Sequence, residues 1–254
     1  MSKNFELMQE ALGLAQPQIP SSRESAKVIV LESEGARKIA RDSADFDAVA
    51  QQECFKLVQR IFLGQPDVFR AVVFAGIDRG NGCSRICVET ARILAASTSG
   101  SVCLVDANLR TPSLAGFLRT PNDSGLVSSL LEDGGIRGFA KQLEPSNLWL
   151  LSAGEVNRQS PSLLNSERLK ARLQELRKEF DYILIDSPAL NLYADALALG
   201  GVAEGLVVVL QAEATRRESA LKGLRTLHEA RINVLGAVLN RRTFPIPNFV
   251  YRRL

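Results

Sequence analysis

Two hydrophobic periods alternate along this chain. Phe46, Val49, Ala50, Cys54, Leu57, Val58 and Ile61 recur at three and four, the spacing of a helix with one buried face, and Gly64 and Pro66 end the pattern. Short continuous apolar runs at 72–74, 102–105, 148–151, 182–185, 206–210 and 234–239 have the form of strands covered on both faces. Helical spacing returns between them: Ile86, Cys87, Thr90, Ala91, Ile93, Leu94 and Ala95 form one face, closed by Ser99 and Gly100. A short helix over 126–131 lies among loops marked by Thr111-Pro112, Pro121-Asn122-Asp123 and Gly134-Gly135. Ser160-Pro161 reads as the cap and first turn of a helix carrying Leu169, Leu173, Leu176 and Phe180. Thr215-Arg216-Arg217-Glu218 reads as a capping box opening a helix through His228, the lone histidine, which sits at a surface position. This alternation predicts an α/β domain over residues 46–240, a mostly parallel sheet flanked by helices on both faces.

The ends depart from the pattern. Residues 1–45 read as a flexible leader, in which Phe5, Leu7, Met8, Ala11, Leu12 and Ala15 space a short amphipathic helix that Pro17 and Pro20 end. An apolar patch, Val28-Ile29-Val30-Leu31, interrupts the Ser-, Glu-, Lys- and Arg-rich stretch that follows. Both pieces are sticky, and they either pack on the domain itself or dock to a partner. Residues 241–254 hold Pro245, Pro247, three aromatic residues and four arginines, the composition of an extended tail.

Composition narrows the function classes. A chain of 254 residues, 46% hydrophobic and 23% charged, can bury a sizeable core, and a net charge of only +3 makes no electrostatic case for nucleic acid. Cys54, Cys83, Cys87 and Cys103 lack a C-x-x-C spacing and read as free thiols of a reducing cytoplasm. No apolar run reaches the roughly 18 residues of a membrane span, so the chain reads as cytosolic and any membrane role requires a partner.

The chemistry concentrates after the first strand, in Gly76-Ile77-Asp78-Arg79-Gly80-Asn81-Gly82-Cys83-Ser84-Arg85. Gly80 and Gly82 permit the backbone conformations of a loop that wraps a phosphate, and Ser84 falls at a helix N-terminus, where free N–H groups favour an anion. This is the frame of G-x-x-x-x-G-K-[ST] with Cys83 in place of the lysine and Ile77 in place of the first glycine. Two further acids end buried strands. Asp106 follows 102–105 and is either a metal or catalytic group or a cap for the next loop, and Asp186 follows four apolar residues in the form of a Walker B motif.

Taken in order, the loop, V-C-L-V-D-A-N-L-R-T-P-S-L, F-L-R-T-P-N-D-S-G-L, L-L-S-A-G, F-D-Y-I-L-I-D-S-P-A-L, Y-A-D-A-L and V-L-G-A-V-L-N resemble the bacterial tyrosine kinases of capsule and exopolysaccharide assembly. The resemblance spans about 53–240 and implies a deviant-Walker P-loop NTPase fold. It further implies an ATP and Mg²⁺ site, with phosphates on Gly80, Asn81, Gly82, Cys83, Ser84 and Arg85. The metal would lie on Ser84, Asp106 and Asp186, with Asp106 and Arg110 in catalytic roles and Tyr251 as the tail phosphoacceptor. Its partner would be a membrane-anchored polysaccharide co-polymerase, which recruits the cytoplasmic chain to the inner face of the membrane.

Four features depart from the family pattern. Cys83 replaces the loop lysine, Asn108 replaces the second acid of Asp-x-Asp, and Glu53, Lys56 and Gln59 stand where the family carries its ring-forming Glu-x-x-Arg-x-x-Arg, so homo-oligomerisation would use a degenerate motif. The tyrosine-rich tail is reduced to Tyr251. A helix N-terminus near Arg79 and Arg85 is expected to lower the Cys83 pKa toward thiolate. Three readings follow: a catalytically impaired regulator, an active autokinase in which Arg79 or Arg85 supplies the missing charge, and a partition-type ATPase, which Asp78 opposes by occupying that subgroup's extra lysine position.

Overall fold

The computed structural model describes residues 27–29, 43–64 and 69–241. Eight strands form one sheet: β1 (Lys27–Ile29), β2 (Ala71–Gly76), β3 (Val102–Asp106), β4 (Lys141–Gln142), β5 (Leu148–Leu151), β6 (Tyr182–Ser187), β7 (Gly205–Gln211) and β8 (Val234–Asn240). Their order is β1-β8-β7-β2-β6-β3-β5-β4, with every neighbouring pair parallel except β4 and β5. The fold is the mostly parallel α/β sheet that the strand and helix periods predict.

Alternation along β2 sorts the core into two layers. Val72 and Phe74 face α1 (Ser43–Val58), a π-helical turn at Gln59–Leu63, α2 (Cys83–Ser97) and α3 (Leu114–Leu118). Val73 and Ala75 face α4 (Leu126–Leu131), α5 (Glu167–Glu179), α6 (Asp195–Val202) and α7 (Arg217–Glu229). Helices thus cover both faces, and the strands read as unbroken apolar runs because neither face meets water.

Three local expectations change. Lys27–Ile29, inside the stretch that the sequence assigns to a leader, pairs in parallel with β8 at the edge of the sheet. Ser160–Asn165 is a separate 3-10 helix, and α5 starts after Ser166, whose hydroxyl accepts from the Leu169 amide. Thr215 does not cap α7; its hydroxyl instead accepts from the Gln211 amide at 2.9 Å and from the Asn81 side chain at 3.3 Å. The amphipathic pattern at 5–15 and the tail with Tyr251 lie outside the described residues.

The strand order fixes where a ligand can sit. The chain leaves β2 through α2 for β3 on one side and crosses from β6 through α6 to β7 on the other, so the carboxyl ends of β2 and β6 open at a topological switch point. The loop, Asp106 and Asp186 all lie at that edge.

Candidate functional site

The loop is shaped by its own glycines and braced by distant residues. Gly80 and Gly82 adopt φ of 87° and 82°, the left-handed region that L side chains avoid, and a Cβ on Gly82 would lie 2.3 Å from Nδ2 of Asn240. Ile77 needs no glycine: its backbone prolongs β2, with its N–H donating to Val209 and its carbonyl accepting from Asn191, and its side chain is fully buried. Asn81 is buried. Its Oδ1 accepts from the Asp78 amide at 2.7 Å, and its carbonyl accepts from Nδ2 of Asn240 at 2.9 Å.

Gly82 caps α2, which places Cys83 and Ser84 in the first turn. The Ser84 hydroxyl donates to Oδ2 of Asp186 at 2.6 Å. Oδ1 of Asp186 is buried with no hydrogen-bond partner among the described residues. Asp106 lies opposite Asp186 in the β3–β6 register and is also fully buried. The capping reading of Asp106 is seen directly: its Oδ2 accepts from the Ser113 and Leu114 amides at 3.0 Å each, at the start of α3, while Oδ1 accepts from the Asn108 amide at 3.3 Å.

Burial, then the charge of Asp106, pushes the Asp186 carboxyl up to about 8, and burial pushes Asp106 up to about 6. Two acids in adjacent parallel strands, roughly 4.8 Å apart in backbone spacing, cannot both ionise cheaply without a cation between them. The bare Oδ1, the Ser84 hydroxyl and Asp106 form a hard oxygen donor set that fits Mg²⁺. Among the described residues no group of three His, Cys, Asp or Glu side chains is placed to hold a metal unaided, so the set needs the oxygens of a ligand to be complete.

The expected thiolate at Cys83 is corrected. Burial first, then the charge of Asp186 and a hydrogen bond with it, raise the Cys83 thiol well above its ordinary value. The helix N-terminus is overruled chiefly by burial, with the Asp186 carboxyl acting in the same direction. Cys83 is a neutral, short side chain where the loop pattern has an ammonium.

A cavity of about 900 Å³ opens over this floor. Arginines 79, 85, 92, 110 and 241 line it, together with Asn108, Phe117, Leu192 and Tyr193. Arg110 is anchored: its Nε and Nη2 donate to the carboxylate of buried Asp195 at 2.7 and 3.1 Å, and its guanidinium lies 3.9 Å from the centre of the Tyr193 ring. Asn108 accepts from the amide and hydroxyl of Thr111. The structure thus brings Gly80, Asn81, Gly82, Cys83, Ser84, Arg85, Asp106, Arg110 and Asp186 to one edge. Glu53, Lys56 and Gln59 lie elsewhere, on α1 and its π turn, where Lys56 pairs with Glu53 in the same helix.

Asp195, Asn191 and Asn240 carry no role in the sequence reading, although each falls within or beside a motif quoted for the family. Their signal is tertiary. Each acts on a loop or arginine far away in sequence.

No family model matches the chain. It is 29% identical over 181 residues to tyrosine-protein kinase YwqD of Bacillus subtilis, covering 66% of this chain and 76% of that one. It is also 29% identical over 175 residues to succinoglycan biosynthesis transport protein ExoP of Rhizobium meliloti, covering 68% of this chain but only 22% of ExoP. The chain is similar to bacterial tyrosine kinases. The fold of the chimerical protein CapA2B2 superposes with a TM-score of 0.78 at 19% identity, over 94% of this chain and 99% of that one. That likeness is one of fold.

Proposed function

We propose that this chain serves capsule or exopolysaccharide assembly as a kinase-like cytoplasmic subunit, and that it is a catalytically impaired regulator of a membrane co-polymerase. The similarity to YwqD and ExoP supports the process. The impairment rests on one observation: Cys83 presents a protonated thiol to Asp186 where phosphoryl transfer calls for a cation reaching the β- and γ-phosphates. Positioning and charge stabilisation supply nearly all of the catalysis of such a step, so the loss is severe.

Mg²⁺-ATP, when bound, would supply the transferable phosphoryl group and a metal charge to offset the two acids. The residues present would hold it as follows. Amides at the start of α2 and the glycine loop would hold the phosphates, Ser84 and Oδ1 of Asp186 would offer metal oxygens, and Asp106 would serve as the base. Asn108, neutral and turned onto Thr111, leaves the metal side one carboxylate short.

The cavity's five arginines favour a second reading, an autokinase in which one of them replaces the lysine. Tyr251 is then the favoured acceptor, since Tyr182 lies in β6 and packs edge-on against Phe62. The partition-type ATPase is disfavoured by Asp78, whose carboxylate accepts from Asn191. Homo-oligomerisation through Glu53, Lys56 and Gln59 belongs to the proposal and is read by sedimentation velocity.

Nucleotide titration with and without Mg²⁺ separates the readings. Cys83→Lys is expected to tighten Mg²⁺-ATP binding by at least tenfold, and Cys83→Lys with Asn108→Asp to add turnover that neither change gives alone, a tenfold change being about 1.4 kcal/mol. Mg²⁺-dependent phosphorylation of Tyr251 by the natural chain, abolished by Arg79→Ala or Arg85→Ala, would replace the regulator with the autokinase.

A further inference from the structure

Three positions meet the phosphate loop or its neighbour Asn191: Thr215, in the turn just before α7, and Ser219 and Gly223 in the first half of the helix. The four-residue spacing puts Ser219 and Gly223 on one face. The Thr215 hydroxyl accepts from Nδ2 of Asn81 at 3.3 Å. The Ser219 carbonyl accepts from Nδ2 of Asn191 at 3.0 Å, and that same amide group donates to Oδ1 of Asp78 at 3.2 Å. Gly223 closes on Ile77: an added Cβ would stand 2.7 Å from Ile77 Cδ1 and 3.1 Å from Leu190 Cδ2.

Gly223 is helical and carries no left-handed φ, so close approach is its only structural reason. Ile77 fills the space that the missing side chain leaves. A large residue at the head of the loop and a glycine on the helix are therefore two halves of one contact, formed where the usual loop has its first glycine. The loop is gripped at Ile77 by Gly223, at Asp78 by way of Asn191 on Ser219, and at Asn81 by Thr215 before the helix, and none of these contacts involves a phosphate or a lysine.

We propose that α7 and the turn before it position the phosphate loop, with Gly223 and Thr215 as positioning residues that hold the loop in its anion-accepting shape. The inference rests on the reading of the loop as a nucleotide site. It adds the means by which a loop without lysine keeps that shape before any ligand arrives.

Gly223→Ala, Thr215→Val, Ile77→Ala and the pair Ile77→Ala/Gly223→Ala test it, with two readouts on the full chain: hydrogen exchange of the amides at 77–82 without nucleotide, and the Kd for Mg²⁺-ATP. Gly223→Ala is expected to speed exchange at 77–82 at least tenfold while core strands β2 and β6 keep their protection, and to weaken Mg²⁺-ATP binding by a similar factor. The pair should restore both, because removing the Ile77 branch makes room for the new methyl. Thr215→Val should speed exchange at Asn81 and its neighbours with little change in melting temperature.

Unchanged exchange in Gly223→Ala overturns the proposal, and so does faster exchange spread evenly over the core or left unrelieved in the pair. If the natural chain binds no Mg²⁺-ATP, the nucleotide reading fails while the exchange data still decide whether α7 holds the loop.

Discussion

Asp186 enters the folded state with one carboxylate oxygen on Ser84, the other bare, and Asp106 alongside. Its carboxyl is pushed up to about 8 from an ordinary 3.8, chiefly by burial. Between those values the folded chain binds more protons than the unfolded chain, so this group's contribution is fully present at the acid end and is lost as pH rises toward 8. Melting curves of the natural chain and of Asp186→Asn should therefore diverge across pH 5 to 8.5, the natural chain losing ground as pH rises. Saturating Mg²⁺ together with ATP should close the gap by satisfying Oδ1 and neutralising the pair. A constant offset at every pH would contradict the raised carboxyl. The same burial and the same acid decide Cys83, whose sequence neighbours Arg79 and Arg85 point to a lowered pKa while its spatial neighbour Asp186 raises it.

Helix starts show where local signals hold and where they yield. Ser166 bonds the Leu169 amide at 3.3 Å and begins α5, whereas Ser160, three residues after Asn157, exchanges hydrogen bonds with that asparagine and opens only a 3-10 turn. Ser166→Ala is expected to cost about 1 kcal/mol of stability, the usual loss for an N-cap hydroxyl, measured by urea denaturation with an unchanged slope. No loss in midpoint would place the start of α5 elsewhere. Thr215 had the residue type and spacing of a capping box, but its hydroxyl is engaged by Gln211 and Asn81 and its backbone lies before the first turn. A capping signal competes with every polar group that tertiary packing brings near, and here the phosphate loop prevails. Arg172 shows the reverse case, a charged helix residue buried because it donates to the carbonyls of Ser129, Glu132 and Gly134 beyond α4.

At the scale of the whole molecule, no helix among the described residues is long and apolar enough to cross a membrane. The proposed role assigns recruitment to a protein contact. The chain is expected to sediment with membranes bearing its co-polymerase and to remain in the supernatant with plain anionic vesicles at physiological salt; equal pelleting with both would sink the partner-dependent reading. Much of this architecture was legible in the chain itself. Residue periods determined the strands, the helices on both faces and the parallel sheet, since burial on both faces leaves an unbroken apolar run and burial on one leaves a 3.6-residue spacing. Gly80 and Gly82 announced the loop because left-handed backbone is a property of the residue alone, and Asp106 and Asp186 stood out as acids ending apolar runs. Tertiary structure alone decided the rest: that Lys27–Ile29 joins the sheet, that Arg110 is held by Asp195, that Asn240 and α7 brace the loop, and that Cys83 is a neutral thiol. Pairing, bracing and protonation depend on distance and dielectric between groups dozens of residues apart, and neither quantity is written in local spacing.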